Sequence, residues 1–165
     1  MSFLDLLMGK GSIPPPIPEG AKCRAFAYED KIIATPVIGI FDGPDPIVLP
    51  ADVANDKLGQ TIFNCTKAYR NNRPDEKLGG SPRKWPSFCA SGARTVRQFE
   101  QSLWDVFIEA RGFSLAINAR PYKTLRPHLA MQSVALMKDR EHGELGAAFR
   151  QALAGAKMLR EGGVL

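Results

Sequence analysis

The stretch WDVFIEARGFSLAIN, residues 104–118, carries the clearest structural signal in the chain. Apolar residues alternate with other types on both sides of a short Arg-Gly break, which is typical of two paired strands with one buried face. The predicted buried face consists of Trp104, Val106, Ile108, Phe113, Leu115 and Ile117, and the predicted outer face includes Asp105, Phe107, Glu109, Ser114 and Asn118. Arg111 and Gly112 form the predicted turn, so the stretch is interpreted as a β-hairpin.

A second hairpin is predicted upstream of the first. Residues 23–28 alternate as a strand, Glu29 and Asp30 turn, and residues 31–35 return. Pro36 cannot donate a backbone hydrogen bond, so it limits the predicted pairing of the returning strand. A short apolar strand follows at residues 47–49, between two prolines.

Each hairpin is followed by a third strand and a helix, which indicates an internal duplication. The later third strand is predicted at 129–137, and the two helices contain KLGQ at 57–60 and ELGA at 144–147. Glycine early in a helix costs about 1 kcal/mol relative to alanine, so its repetition predicts a close approach of that turn to a strand. The predicted fold is α+β, an antiparallel sheet built from two similar β-β-β-α units with the helices packed on it.

Helix ends and short helices are also predicted. Asn55 or Asp56 is expected to cap the first helix, which should stop at residues 71–72, and the last helix spans about 144–159. A short helix at 85–90 should end at Gly92, and residues 95–98 form a capping box that begins another.

The length of 165 residues predicts one domain, at 21–165, behind a proline-rich N-terminal extension at 1–20. No apolar run is long enough for a membrane helix, and the first residues do not resemble a signal peptide, so no membrane partner is expected. Three scattered cysteines predict a reducing, cytoplasmic location rather than a disulfide framework.

The sequence predicts no catalytic, cofactor-binding or metal site, and therefore no enzyme. His128 and His142 lie outside any recognisable catalytic setting, and the cysteines lack the spacing of zinc ligands. A Gly-x-Ser-x-Gly elbow and a phosphate-binding loop are both missing from the sequence.

The 22 basic and 17 acidic residues are unevenly distributed. Residues 29–56 hold six acids and one base, whereas residues 57–97 hold nine bases and two acids. These segments are either two solvated faces or include a docking surface. The basic segment also contains Tyr69, Trp85 and Phe88, which allows a nucleic-acid-binding alternative, although the spacing of Trp85 and Phe88 favours a helix face in the core.

Five short motifs, in order, resemble those of the immunity proteins of bacterial contact-dependent growth inhibition systems. They are YEDKI at 28–32, LG at 58–59, WPSF at 85–88, ARTVRQFE at 93–100 and ELG at 144–146. The resemblance spans roughly residues 22–160 and implies a protein that binds and neutralises a toxin domain delivered by neighbouring cells. It implies no catalytic residues.

A toxin partner would be the C-terminal domain of the cognate toxin, expected to be a nuclease with a positive groove for phosphates. An inhibitor of such a groove should offer carboxylates on displayed turns. Glu29, Asp30, Asp42 and Asp45 are therefore the predicted partner-binding residues. The competing prediction is that the basic stretch 70–97 docks on an acidic toxin.

Overall fold

The computed structural model of the chain describes residues 17–71, 81–122, 132–137 and 141–163. Seven strands form one sheet: β1 (Lys22–Tyr28), β2 (Lys31–Ile38), β3 (Phe41–Asp42), β4 (Ile47–Pro50), β5 (Trp104–Arg111), β6 (Ser114–Pro121) and β7 (Gln132–Met137). The described α-helices are α1 (Asn55–Lys67), α2 (Pro86–Ser91), α3 (Val96–Ser102) and α4 (His142–Glu161). A 3₁₀ turn at Pro82–Lys84 precedes α2.

The sheet is antiparallel and is arranged around its two central strands, β1 and β5. Its order is β3-β2-β1-β5-β6-β7, and β4 pairs with β2 as well. Each repeat therefore contributes a hairpin, β1–β2 or β5–β6, and a third strand outside it, β4 or β7. The predicted α+β class and the duplicated β-β-β-α order are confirmed, with the two-residue strand β3 as an unpredicted addition to the first repeat.

The first hairpin turns at Glu29 and Asp30, as predicted, because Tyr28 pairs with Lys31. The second turn lies one residue later than predicted, since Arg111 pairs with Ser114 and leaves Gly112 and Phe113 as the loop. Phe113 is 85% exposed, so its predicted place on the buried face is wrong. The glycine has a φ of 54°, which suits the left-handed position of a tight turn.

One face of the sheet is covered by α1 and α4, and this layer holds the larger hydrophobic core. Val106, Ile108, Leu115 and Ile117 are buried there, as the alternation predicts. The helices contribute the residues that the helical spacing indicates, among them Leu58, Ile62, Cys65, Leu145, Phe149, Ala152 and Ala156.

The repeated glycines lie where α1 and α4 cross. A Cβ atom on Gly59 would be 1.7 Å from the carbonyl oxygen of His142, and one on Gly146 would be 2.1 Å from that of Asn55. The predicted close approach is present, but the neighbour is the other helix rather than a strand. Each first helical turn thus lies against the N-terminus of its counterpart.

The opposite face of the sheet is covered at β1 and β2 by α2 and α3. Phe26, Tyr28 and Ile33 form a second core with Phe99 of α3 and Leu103. The Thr95 hydroxyl accepts a hydrogen bond from the Gln98 N–H at 3.1 Å, which is the N-cap half of the predicted capping box. Gly92 ends α2 with a φ of 75°, as predicted.

Several predicted boundaries are wrong for identifiable reasons. Ala54, not Asn55 or Asp56, is the N-cap of α1, because the Asn55 side chain accepts a hydrogen bond from Arg150 of α4. This helix ends at Lys67, earlier than predicted, since the chain then extends for Arg70 to bridge to Ile38. The β2 strand also continues through Pro36 to Ile38, where β3 supplies new pairing.

The described part of the predicted N-terminal extension packs on the domain. Ile17 is 4% exposed in the larger core, and the Glu19 carboxylate accepts a hydrogen bond from the Gly112 N–H. The division at residue 20 stays a prediction, and residues 1–16, most of the 73–83 loop, His128 and residues 129–131 lie outside the described residues. Of the helices described, none has the length and apolar character needed to cross a membrane.

Candidate functional site

The four predicted partner-binding carboxylates are not on one surface. Glu29 and Asp30 are exposed at the β1–β2 turn, and Asp45 is exposed before β4. The Asp30 carbonyl accepts a hydrogen bond from Ala51, just past β4, so Asp30 and Asp45 lie near opposite ends of that strand. Asp42 belongs to a different environment.

Asp42 lies in β3, and its predicted position on a displayed turn is wrong. Its side chain is 9% exposed. Its Oδ2 atom accepts a 2.7 Å hydrogen bond from the Ser87 hydroxyl, and Oδ1 lies 3.6 Å from Nη1 of Arg24. Burial raises the pKa of Asp42, although the Arg24 charge and the Ser87 hydrogen bond favour the ionised form.

Arg24 connects this carboxylate to a second one in the centre of the sheet. Its guanidinium donates two hydrogen bonds to Asp105, at 2.9 and 3.1 Å, and Arg120 donates to the same carboxylate from the other side. Burial alone would lower the pKa of Arg24, but the hydrogen bond and charge of Asp105 raise it above the usual value. The guanidinium is therefore a permanent cation.

Asp105 was predicted on the outer face, yet it is 2% exposed. The alternation assigned it to the correct side of the strand, but that side is also covered here. The surrounding cations come from β1 and β6, which are distant in sequence. The cluster could have been predicted only from the order of the strands, which sets Asp105 between Arg24 and Arg120. No local sequence pattern indicates that β1 pairs with β5.

A pocket opens beside these charges, with a volume of about 220 Å³. Its polar lining comes from Arg24, Asp42, Ser87 and the Tyr122 side chain. The rest of the lining is mainly aromatic or apolar: Phe26, Ile40, Phe41, Trp85, Pro86 and Phe99. Strands β1 and β3, the first turn of α2 and the end of β6 together position this pocket, which sequence reasoning missed.

The polar groups of the pocket include one hydroxyl, one carboxylate and one guanidinium that approach one another. The hydroxyl of Ser87 donates to a carboxylate and has no histidine or lysine base among the described lining residues. Within the described ranges, no group of three or more His, Cys, Asp or Glu side chains could hold a metal ion.

Two aromatic residues of the basic segment, Trp85 and Phe88, pack against other rings. The Trp85 ring packs against Tyr122 with centroids 6.3 Å apart, and Phe88 packs against Phe99 at 5.6 Å. Phe88 thus packs against the second core, whereas Trp85 is half-buried and lines the pocket. The cations Arg83, Lys84, Arg94 and Arg97 are exposed on the same segment.

His142 also has a structural setting. It is the first residue of α4, and its ring packs edge-on against Phe63 with centroids 5.1 Å apart.

Comparison with known proteins gives structural matches alone. No protein-family model and no curated protein matches the chain. The fold is similar to that of the "Protein of Unknown Function NMB0488 from Neisseria meningitidis", with a TM-score of 0.64 and 21% identity, covering 83% of this chain and 95% of that one. It is also similar to a chain of the "CdiA-CT/CdiI toxin and immunity complex from Yersinia pseudotuberculosis", with a TM-score of 0.63 and 18% identity, covering 84% and 98%. At these identities the likeness establishes a shared fold over most of the chain.

Proposed function

We propose that the chain is an immunity protein that binds and neutralises the toxin domain of a contact-dependent growth inhibition system. The observation that carries the proposal is the shared fold with a chain of a toxin and immunity complex over 84% of this chain. The five ordered sequence motifs support the same function independently of the structure. In this role the protein acts in the cytoplasm on a cognate C-terminal toxin domain, and is not an enzyme.

The proposed mechanism is occlusion of the toxin's active site. An interface of ordinary size buries about 800 Å² on each partner, which is enough to cover a catalytic cleft. Such inhibition requires a preformed surface rather than catalytic groups. If the toxin is a nuclease, its phosphate-binding groove is positive, and exposed carboxylates of Glu29, Asp30 and Asp45 can occupy the positions of phosphates. The buried Asp42 is removed from this displayed set.

The proposal is tested by co-expression with the toxin domain encoded beside this gene. We expect the chain to restore growth against that toxin and to give no protection against an unrelated one. Growth arrest despite soluble chain would contradict the proposal. RNA binding that weakens steeply with salt would then favour the nucleic-acid alternative. In that case the exposed cations of the basic segment would bind the phosphates.

Association kinetics test which exposed charges meet the toxin. Reversing Glu29, Asp30 and Asp45 to lysine should slow association by about tenfold, because charge complementarity acts mainly on the association rate. The matched control reverses Arg83 and Lys84 to glutamate. If the control alone slows association, the basic segment is the docking face.

A further inference from the structure

The pocket beside Asp42 contains a buried acceptor whose hydrogen bonding is incomplete. Asp42 Oδ2 accepts from Ser87, but Oδ1 has no hydrogen-bond partner among the described residues. The Arg24 nitrogen at 3.6 Å is beyond hydrogen-bond reach. Arg24 cannot easily move closer, because Asp105 holds it through two hydrogen bonds. A buried carboxylate oxygen in this state favours an incoming N–H donor.

The walls of the pocket favour a flat cation over a neutral donor. Half-buried rings of Phe41, Trp85 and Tyr122 line it, above the buried rings of Phe26 and Phe99. Ring faces attract cations, and guanidinium groups in particular stack on them. Arg24 already shows this preference, with its guanidinium carbon 5.0 Å from the Phe26 ring centre and 5.9 Å from that of Tyr122.

Size and net charge narrow the ligand further. The volume of about 220 Å³ is below the roughly 300–1,000 Å³ of common small-molecule sites, so it suits one side chain rather than a nucleotide. Two guanidinium groups, from Arg24 and Arg120, face two carboxylates, from Asp42 and Asp105. Their charges sum to zero, so an added cation meets no net repulsion.

We propose that this pocket binds an arginine side chain of the protein partner. The inference rests on the proposed function, in which the partner is a toxin domain whose phosphate-binding groove displays arginine. The guanidinium donates to Asp42 Oδ1 and stacks between the aromatic walls. The pocket thereby adds a hydrogen-bonded contact with the partner to those made by the exposed acidic turns.

A small-molecule titration tests the pocket without any toxin. The probe is n-butylguanidinium, its neutral control is n-butylurea of the same shape, and the readout is the NMR signal of the Trp85 indole N–H. Trp104 provides an internal reference, since it lies on the other face of the sheet beneath Arg160. We expect a saturable shift of Trp85 with the cation and no such shift with the urea.

Variants decide whether Asp42 is responsible. Asp42→Asn should weaken butylguanidinium binding at least tenfold, whereas Asp45→Asn, on the exposed neighbouring turn, should leave it unchanged. Equal binding of the cation and the urea, equal binding by wild type and Asp42→Asn, or no saturable shift overturns the proposal. The asparagine amide oxygen can still accept the Ser87 hydrogen bond, so the variant is expected to fold. If this variant fails to fold, Trp85→Leu replaces it, followed through the Ser87 amide signal, and unchanged binding overturns the proposal.

The partner is then tested with the toxin domain. If wild type protects cells and Asp42→Asn dissociates at least tenfold faster from the toxin, the arginine contact is supported. If wild type protects cells and both proteins dissociate from the toxin at the same rate, the proposed function stands and the arginine contact is wrong. If wild type gives no protection, the proposed function fails, whatever the butylguanidinium result.

Discussion

The two β-β-β-α repeats have the same helix-covered face and different opposite faces. On the helix side, Ala25 and Ala34 of the first repeat correspond to Ile108 and Ile117 of the second, and all four are fully buried. On the other side the aligned positions diverge: Phe26, Tyr28 and Ile33 correspond to Glu109, Arg111 and Ala116. The repeat therefore builds the scaffold, and departures from it determine the second face.

The apolar triplet of the first repeat explains why α2 and α3 pack there. Phe99 of α3 is fully buried and lies against Phe26 and Tyr28, with ring centres 6.3 and 5.4 Å apart. The corresponding side of the second repeat keeps partly exposed Phe107, Glu109 and Asn118. The pocket lies at this transition, where a covered sheet surface meets a more open one. Asymmetry between the repeats thus creates the candidate site.

The largest expected difference in the free energy of unfolding is between variants of Asp105 and of Lys22, its counterpart in the first repeat. Asp105→Ala should lower the free energy of unfolding by about 3 kcal/mol, because it leaves Arg24 and Arg120 without their shared carboxylate. Lys22→Ala should cost less than about 1 kcal/mol, since Lys22 is partly exposed and lies 3.7 Å from Glu109. Urea unfolding measures both.

The outer-face pattern of residues 104–109 alone predicts a small cost for Asp105→Ala. Equal, small losses at Asp105 and Lys22 would therefore show that the arginine cluster does not stabilise the fold.

An intermediate and symmetric effect is expected at the helix crossing. Gly59→Ala and Gly146→Ala should each cost about 2–3 kcal/mol, because the new methyl group would overlap a backbone carbonyl of the other helix. Gly163→Ala is the control, since no atom lies within 4 Å of its Cβ position and its own cost is the positive φ of 72°. Thermal and urea unfolding of the three variants should rank them accordingly. A loss at one helical glycine and not at the other would break the equivalence of the repeats.

The smallest effect is expected at the first hairpin turn. Glu29 has a φ of 52°, where its counterpart Gly112 has 54°. The left-handed conformation costs a residue with a Cβ atom about 1–2 kcal/mol, and glycine avoids this cost. Glycine also loses more backbone entropy on folding, which cancels part of the gain. Glu29→Gly should therefore raise the free energy of unfolding by about 0.5 kcal/mol.

Toxin binding provides the second readout for Glu29→Gly. The variant should be more stable and yet associate more slowly, because it loses a carboxylate of the proposed docking set. Lower stability would show that the side chain of Glu29 contributes more to the fold than its backbone strain costs.

Much of the fold could be predicted from local pattern. Alternation placed Val106, Ile108, Leu115 and Ile117 in the core, and the repeated Leu-Gly pair indicated the duplication. These predictions succeeded because side-chain period and turn chemistry act over a few residues. The site was predicted less well: of the four acidic candidates, Asp42 is buried in the pocket and the other three are exposed on two separated turns.

The sequence by itself determined most of the strands and helices and, except for Phe113, which side chains of residues 104–118 share a face. Only the tertiary structure decided that β1 lies beside β5, that Gly59 meets α4 rather than a strand, and that Asp105 is enclosed by Arg24 and Arg120. It also brought Asp42, Ser87 and Tyr122 to one pocket from three distant parts of the chain. The physical reason is that the hydrophobic period along a segment specifies the type of element that the segment forms. Whether a face of that element is buried depends on what packs against it. In this protein α2 and α3 cover one half of the second face, and no pattern within residues 104–109 carries that information.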